Sequence, residues 1–272
     1  MQPKLGILAG GGQLPHQIIQ ACKKNARNFF VIVFEGQNSP DEFKDVPIEC
    51  LRLGAAGSII KRLKKENCNE LVFAGSIKKP NLKQLRPDFW TTKFLARSGG
   101  LRIGDDGILS SLVRDLEVRE GFTVIGVDKL LPNLIATLGI YGIHSPTKED
   151  YADIQIAKKR ALELGREDKG QACISRYGQV IGVEGPSGTD DLLKNLKRAK
   201  APAGVLVKMK KPNQEYRTDL PTIGQKTVQN VFNAGLRGIA IEAGSSLIID
   251  RQDVINTANK LNIFVLGIPF NE

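Results

Sequence analysis

The sequence predicts an α/β protein of two domains, an N-terminal Rossmann-like parallel sheet with flanking helices and a C-terminal α/β domain. In the first half, short apolar runs alternate with amphipathic stretches, the pattern of parallel strands joined by crossover helices. Prolines and glycines interrupt this alternation at 132–145, and a less regular α/β pattern follows. We therefore expect the N-terminal domain at 1–131, a linker at 132–145, and the C-terminal domain, which carries the candidate catalytic loop, at 146–272.

Apolar spacing predicts each element of the N-terminal domain. The continuous β-prone run FFVIVF at 29–34 is typical of a strand buried on both faces. An apolar stripe from Ile108 to Leu116 predicts an amphipathic helix. In chain order, we expect strands at 4–9, 29–34, 70–74 and 122–127, with helices at 15–27, 55–66 and 105–119.

The C-terminal half contains a predicted hairpin, whose strands turn about Tyr177-Gly178. The same criteria predict the other elements of this half. In chain order, we expect strands at 172–176, 179–184, 204–209, 238–242, 246–249 and 263–266, with helices at 149–164, 190–198, 226–234 and 251–261.

Composition and charge exclude several classes of protein. Apolar residues make up 41% of the chain, which excludes a mostly disordered protein. The sequence has no run of 18 apolar residues and no start typical of a signal peptide, so we expect a cytoplasmic protein. The net charge of +10 favours an anionic partner or reflects only a basic surface. Aromatic residues, at 6%, are too few for stacking platforms, so nucleic acid is the least favoured partner.

The residues that bind soft metals are scarce. Four cysteines lie far apart, and His16 and His144 are the two histidines, so the spacing of a zinc ribbon is absent. A metal, if one is used, is expected to be held by oxygen, as magnesium or manganese is.

Glycine-rich turns follow two strands of the predicted parallel sheet. Gly11 and Gly12 come after the first strand and open a helix, so they either contact a phosphate or nucleotide or form a tight turn without a ligand. Gly75 and Ser76 follow a later strand, and Ser76 either bonds a ligand oxygen or caps its own turn. The basic stretch at 77–88 forms either an anion-facing rim or a solvated loop.

Two further turns carry candidate groups. Gly188 and Thr189 lie between a strand and a helix, where Thr189 either holds a phosphate or ribose or caps the helix. Asp105 and Asp106 precede a helix, and we favour a capping role over metal ligation for this pair.

The densest set of polar residues lies at 207–224. Lys208 ends a strand, and a polar loop then offers Arg217, Asp219 and Thr222. Cations beside a carboxylate are typical of a metal–phosphate site, since they neutralise phosphoryl oxygens while the carboxylate holds a divalent ion or orients water. The alternative is that Asp219 forms an Asx-type turn before Leu220-Pro221.

Taken in order, these motifs resemble the UDP-2,3-diacylglucosamine pyrophosphatase family of lipid A biosynthesis. The matching segments are LGILAGGGQLP at 5–15, AGS at 74–76, LRPD at 85–88, GDDG at 104–107, GTD at 188–190, VK at 207–208 and DLPTIG at 219–224. They cover nearly the whole chain, and their order and spacing carry the match.

The resemblance implies magnesium-dependent hydrolysis of UDP-2,3-diacylglucosamine to lipid X and UMP, with water attacking the UMP-side phosphorus. It implies that Asp219 is the essential aspartate, which we expect to act as a metal ligand or to orient water. The expected substrate-binding residues are Gly11, Gly12, Gly75, Ser76, Gly188, Thr189, Lys208 and Thr222. It also implies a homodimer, and we expect peripheral contact with the inner face of the inner membrane.

The residues alone leave two other functions open. A nicotinamide oxidoreductase is supported by Gly10, Gly12 and Glu35, but Pro15 occupies the third glycine position of the dinucleotide fingerprint. A non-catalytic protein that binds nucleotide or anionic lipid is supported by the charge and by the absence of a recognisable catalytic triad.

Overall fold

A computed structural model describes residues 2–77, 85–99, 105–199, 201–212 and 214–270. The chain divides into two compact units. The first contains Met1–Pro132 and also Glu215–Asp219, and the second contains Asn133–Gln214 and Leu220–Glu272. The chain therefore passes between the two units at three points in the sequence.

The first unit is built on a five-stranded parallel sheet. Its strands are β1 (Leu5–Ala9), β2 (Phe29–Phe34), β3 (Ile48–Leu51), β4 (Glu70–Ala74) and β5 (Thr123–Val124), in the spatial order β3-β2-β1-β4-β5. Successive strands are added first on one side of β1 and then on the other, which confirms the Rossmann-like prediction.

Helices pack on this sheet through apolar stripes. They are α1 (Leu14–Lys24), α2 (Ala56–Lys65), α3 (Phe89–Arg97), α4 (Asp105–Val118) and α5 (Val127–Leu130), with a 3₁₀ turn at Pro40–Phe43. Leu63 of α2 and Leu116 of α4 are buried in one apolar cluster with Phe30 and Leu71 of the sheet. The predicted strand at 122–127 is shorter than expected, because α5 already begins at Val127.

Asp88 joins the starts of two helices. As the N-cap of α3, it accepts a hydrogen bond from the Thr91 amide at 2.9 Å. Its other carboxylate oxygen accepts from the amides of Gly57 at 2.8 Å and Ser58 at 3.3 Å, in the first turn of α2. Helix α2 has no capping side chain of its own, so Asp88 supplies the acceptor that its first turn lacks.

The second unit contains a mixed six-stranded sheet and a separate pair of short strands. The strands are β6 (Gly139–Tyr141), β7 (Ala172–Arg176), β8 (Gln179–Val183), β9 (Val205–Lys208), β10 (Thr222–Ile223), β11 (Gly238–Glu242), β12 (Leu247–Ile248) and β13 (Phe264–Ile268). The main sheet has the order β6-β13-β11-β9-β7-β8, in which β9, β11 and β13 are parallel. Strands β10 and β12 pair only with each other, so the strand predicted at 246–249 lies outside the main sheet.

Helices cover both faces of the mixed sheet. They are α6 (Lys148–Arg166), α7 (Gly188–Lys194), α8 (Gln225–Asn233) and α9 (Arg251–Lys260). Ile154 of α6 packs with Val207 in one apolar cluster, whereas Val228 of α8 and Val254 of α9 pack with Ile239 in another. This arrangement confirms the α/β class predicted for the second half.

The predicted hairpin about Tyr177-Gly178 is present. Both turn residues have positive φ, +53° and +76°, as a tight two-residue turn between antiparallel strands requires. The buried Asp153 carboxylate accepts hydrogen bonds from both of their amides, at 3.2 and 2.8 Å. A distant helix thus fixes the turn that the local sequence predicts.

The segment expected to be a linker is part of the second unit's sheet. Strand β6 pairs antiparallel with β13, and the Tyr141 hydroxyl forms a hydrogen bond with Thr137 at 2.9 Å. The prediction of a linker at 132–145 was therefore wrong for the residues of this edge strand. Gly139, which suggested a linker, is the first residue of this three-residue strand, and Gly142 directly follows it.

Candidate functional site

Four predicted site residues lie at the carboxyl ends of two strands of the first sheet. Gly11 and Gly12 follow β1, and Gly75 and Ser76 follow β4. These two strands are neighbours, and the chain leaves them toward opposite sides of the sheet. In open α/β sheets, the crevice at such a switch point is where ligands bind.

Backbone hydrogen bonds hold these two turns together. The Gly11 amide donates to the Ser76 carbonyl at 2.7 Å, and the Ser76 amide donates back to Gly11 at 3.0 Å. Gly75 has a φ of +90°, and a Cβ there would collide with the Gly11 carbonyl oxygen and lie 2.9 Å from the Gly10 carbonyl carbon. At Gly12 the φ is +92°, but a Cβ would meet no described atom within 4 Å. Gly75 thus serves close packing, whereas Gly12 borders open space.

A second group of polar residues lies at the carboxyl ends of β9 and β11. The Lys208 ammonium is buried and donates to the Thr222 carbonyl at 3.1 Å. Ile241 is the register partner of Lys208, so Glu242 lies one residue farther along the neighbouring strand. The Glu242 carboxylate is also buried and accepts from the Lys210 amide at 2.9 Å.

Gly188 and Thr189 start helix α7. Gly188 has a φ of +82°, and its amide donates to the Gly185 carbonyl at 2.9 Å. The N-cap of α7 is Ser187, so Thr189 does not cap the helix as one alternative proposed. The Thr189 hydroxyl donates instead to the Glu184 carboxylate, within the second unit.

The turn that carries Asp219 belongs to the first unit. The Glu215 carbonyl accepts the amides of Thr218 at 3.1 Å and Asp219 at 3.2 Å, which closes a single helical turn. The domain assignment placed this loop in the C-terminal domain, but its packing groups it with Met1–Pro132. Packing overrides sequence position here, because the Arg217 side chain attaches the turn to Glu117 and Val124 of the first unit.

Arg217 holds this turn through two carboxylates. Its guanidinium pairs with Glu215 at 2.8 Å and with Glu117 of α4 at 2.7 Å. The hydrogen bond to Glu215 is the main cause that raises the pKa of Arg217 above its ordinary value. The same hydrogen bond lowers the pKa of the Glu215 carboxyl.

Asp128 is a further carboxylate next to the Asp219 turn. A Cβ on Gly126 would collide with the Asp128 Oδ1 and would lie 3.5 Å from the Cα of Arg217. The Asp128 Oδ1 is buried and has no hydrogen-bond partner among the described atoms. A buried carboxylate oxygen without a donor is a candidate ligand for a cation.

Other predictions fall partly outside the described residues. Gly104 and most of the basic stretch, residues 78–84, are not among them. Asp106 is buried in the first turn of α4. Asp88, at the end of the basic stretch, accepts hydrogen bonds from the first turns of two helices, which differs from its predicted place in an anion-facing rim.

Sequence reasoning missed Glu117, Asp128 and Glu242. Only Glu242 has a local signal, because it directly ends the apolar run GIAI of a buried strand. Glu117 gains its interest from a contact with Arg217, 100 residues farther along the chain. Asp128 gains its interest from its place near Gly126, which approaches the same turn.

The described part of the chain lacks two features, a cluster of metal-binding side chains and a membrane-spanning helix. No group of three or more His, Cys, Asp or Glu side chains within it is arranged to hold a metal ion. None of the helices in the same ranges is long and apolar enough to cross a membrane.

Comparison with known proteins gives matches along almost the whole chain. The family models for the LpxI N-terminal domain and the LpxI C-terminal domain match residues 4–134 and 137–266. The UDP-2,3-diacylglucosamine pyrophosphatase LpxI of Caulobacter vibrioides is 37% identical over 278 residues, covering 99% of both chains.

Solved structures give much weaker matches. N5-carboxyaminoimidazole synthase of Aspergillus clavatus, with ADP and 5-aminoimidazole ribonucleotide, is 9% identical with a TM-score of 0.24, over 66% of this chain and 39% of that one. Phosphoribosylglycinamide synthetase of Anaerococcus prevotii is 12% identical with a TM-score of 0.25, over 72% and 43%. This chain thus spans less than half of either structure, and neither match defines its fold or function.

The fold and the loops at its sheet edges define an α/β protein of two units, with a Rossmann-like first half. Both LpxI domain models match it in order, and a relative of that name aligns over its full length. The chain belongs to the LpxI family.

Proposed function

We propose that this protein hydrolyses the pyrophosphate bond of UDP-2,3-diacylglucosamine in lipid A biosynthesis, releasing UMP and 2,3-diacylglucosamine 1-phosphate, which is lipid X. The observation that carries the proposal is the 37% identity, over 99% of both chains, to a UDP-2,3-diacylglucosamine pyrophosphatase. The enzyme is accordingly a hydrolase that acts on a diphosphate bond.

The chemistry requires charge neutralisation and an oriented water molecule. A pyrophosphate resists hydrolysis because its negative charges repel the attacking oxygen, so the enzyme must offset that charge where it develops. We assign Asp219 to orient the water or to hold a cation, and Lys208 to neutralise a phosphoryl oxygen. Thr222, whose carbonyl holds the Lys208 ammonium, is assigned to the same phosphate site.

The glycine turns are assigned to the remaining parts of the substrate. Gly12 borders open space at the switch point of the first sheet, so a ligand can approach its backbone closely. Gly11, Gly75 and Ser76 form the hydrogen-bonded frame of that turn. In the second unit, Gly188 and Thr189 are assigned to binding the substrate as well.

The carboxylates of the first unit fit a magnesium or manganese ion. Magnesium is commonly held by one or two carboxylates, with water and substrate phosphates completing its shell. Asp219 and the unpartnered Oδ1 of Asp128 are the residues that would hold it. When bound, the ion would neutralise phosphate charge. Homodimer formation, a cytoplasmic location and peripheral contact with the inner membrane complete the proposal.

The test is direct turnover by the purified protein. We expect incubation with UDP-2,3-diacylglucosamine and magnesium to yield UMP and lipid X by mass spectrometry, and chelation of divalent ions to suppress both. In water enriched with heavy oxygen, the label is expected in UMP. Label in lipid X would place the attack on the other phosphorus, and absence of both products would refute the proposed function.

A further inference from the structure

The side chain of Arg217 attaches the turn at Glu215–Asp219 to the rest of the first unit. The Arg217 guanidinium donates hydrogen bonds both within the turn and to the rest of the first unit. Within the turn, its Nε and one terminal nitrogen donate to the Glu215 carboxylate at 2.8 and 2.9 Å. Its other terminal nitrogen donates to Glu117 at 2.7 Å and to the Val124 carbonyl, at the end of β5, at 3.4 Å. A planar guanidinium suits this role because it presents donors in fixed directions.

The surface that receives Arg217 is itself fixed. The Glu117 carboxylate oxygen that accepts from Arg217 also accepts the Val124 amide, at 3.2 Å. Glu117, Val124 and Arg217 thus form a closed set of hydrogen bonds at the edge of the first sheet. The Arg217 side chain is 22% exposed and that of Glu215 is 14% exposed, so the charge-assisted bonds are partly shielded from water.

Asp219 lies two residues beyond Arg217 on the same turn. Its amide donates to the carbonyl of Glu215, whose carboxylate pairs with Arg217. The position of the Asp219 backbone therefore depends on the residue that Arg217 holds. We propose that Arg217 is a positioning residue for Asp219 and that Glu117 is its support, an inference that rests on the proposed function.

The first test measures turnover in variants of the intact protein. Arg217→Gln is expected to lower kcat by about tenfold to a hundredfold with KM changed little, since a catalytic group displaced by about 1 Å loses about that much. Glu117→Gln is expected to lower kcat in the same way but less. The double variant is expected to be no worse than Arg217→Gln, because both changes break one connection. Arg217→Lys, which keeps the charge but not the fork, is expected to fall between wild type and Arg217→Gln.

The matched control lies on the same helix. Asp115 of α4 pairs with Arg97 and Arg119 and not with the turn. Asp115→Asn therefore removes ion pairs from α4 without touching the connection to Arg217, and we expect its kcat to equal that of the wild type.

The second test needs no substrate. Hydrogen exchange of the Thr218 and Asp219 amides reports directly on the hydrogen bonds of the turn. We expect faster exchange in Arg217→Gln and Glu117→Gln than in the wild type or Asp115→Asn. If the wild type does not turn over the substrate, the proposed function fails, while the exchange data still decide whether Arg217 holds the turn.

Three results would overturn the inference. Unchanged exchange in Arg217→Gln would show that Arg217 does not hold the turn. Faster exchange with an unchanged kcat would show that the attachment does not position Asp219. A rise in KM for Arg217→Gln, with Glu117→Gln equal to wild type, would instead assign Arg217 to direct contact with the substrate phosphates.

Discussion

Asp219 is the single residue on which the proposed chemistry depends most. Because its carboxylate is assigned to orient water or hold the cation, Asp219→Ala is expected to lower kcat on the order of a thousandfold or more. The residue is only half-buried in a short turn, so we expect the thermal midpoint to change little. Steady-state kinetics and a thermal melt of the same preparation check both expectations.

A matched control for this substitution is Asp253→Ala. Asp253 is an exposed acid in the first turn of α9, so its removal changes the net charge by the same amount. It is expected to retain full turnover. Near-normal activity of Asp219→Ala would remove this residue from the catalytic assignment.

At the residue scale, the sequence indicated candidate site residues but not the residues that they contact in the fold. Lys208 and Thr222 were assigned to one site from a single loop, and the structure joins them at 3.1 Å. Glu117 could not be linked to Arg217, because an ion pair between residues 100 positions apart leaves no local pattern. The pairing becomes visible only when tertiary packing brings α4 and the turn together.

The first turns of helices α2 and α3 donate backbone hydrogen bonds to one carboxylate, that of Asp88. Burial alone would raise the pKa of Asp88, but hydrogen bonds from Thr91, Ser58 and Gly57 outweigh it and lower the pKa below its ordinary value. The stabilisation is therefore present above the unfolded-state pKa, about 3.9, and is lost as pH falls through the folded-state pKa.

This dependence gives a stability prediction. We expect Asp88→Ala to lower the free energy of unfolding by about 1–2 kcal/mol at neutral pH, since it removes an N-cap and two further acceptor contacts. The difference from wild type is expected to shrink as pH falls below about 4, because the Asp88 carboxyl is then protonated first in the unfolded state and, at lower pH, in the folded state. Urea unfolding of both proteins at several pH values measures this difference in the free energy of unfolding. Asp41→Ala, in an exposed 3₁₀ turn, is the control, and an equal loss there at every pH would contradict the role of Asp88.

At the element scale, continuous or periodic apolar sequence located strands and helices reliably, whereas glycines and prolines did not locate the linker. The runs at Phe29–Phe34 and Glu70–Ala74 predicted strands, and both are present. The first was the clearer case, because a strand buried on both faces has a continuous apolar sequence. The edge strand Gly139–Tyr141 was missed, since three residues that begin with a glycine carry no detectable alternation. Its existence depends on pairing with β13, more than a hundred residues away.

On the scale of the whole molecule, buried thiols report on each unit separately. Burial raises the pKa of Cys68 in the first unit to about 11 and that of Cys173 in the second to about 12. Thiolates are the reactive form, so both thiols are expected to resist a disulfide reagent at pH 8 until their unit unfolds. Variants retaining only Cys68 or only Cys173, labelled across a urea series, would give a separate unfolding midpoint for each unit.

Cys50 provides the internal comparison for that experiment. It is only partly buried, so we expect it to be labelled in the native protein faster than either core thiol. Labelling of Cys173 at the same rate as Cys50 under native conditions would contradict the packing described for β7.

The first unit is discontinuous in the sequence, because it includes the five residues Glu215–Asp219 from the second half of the chain. A fragment that stops at Pro132 encodes its whole sheet but omits the arginine that joins Glu117 and Val124. Halves exchanged between relatives at that boundary would combine a Glu117 from one parent with an Arg217 from another. We therefore expect such an exchange to keep the turn in place only where both parents supply the arginine and the glutamate at these positions.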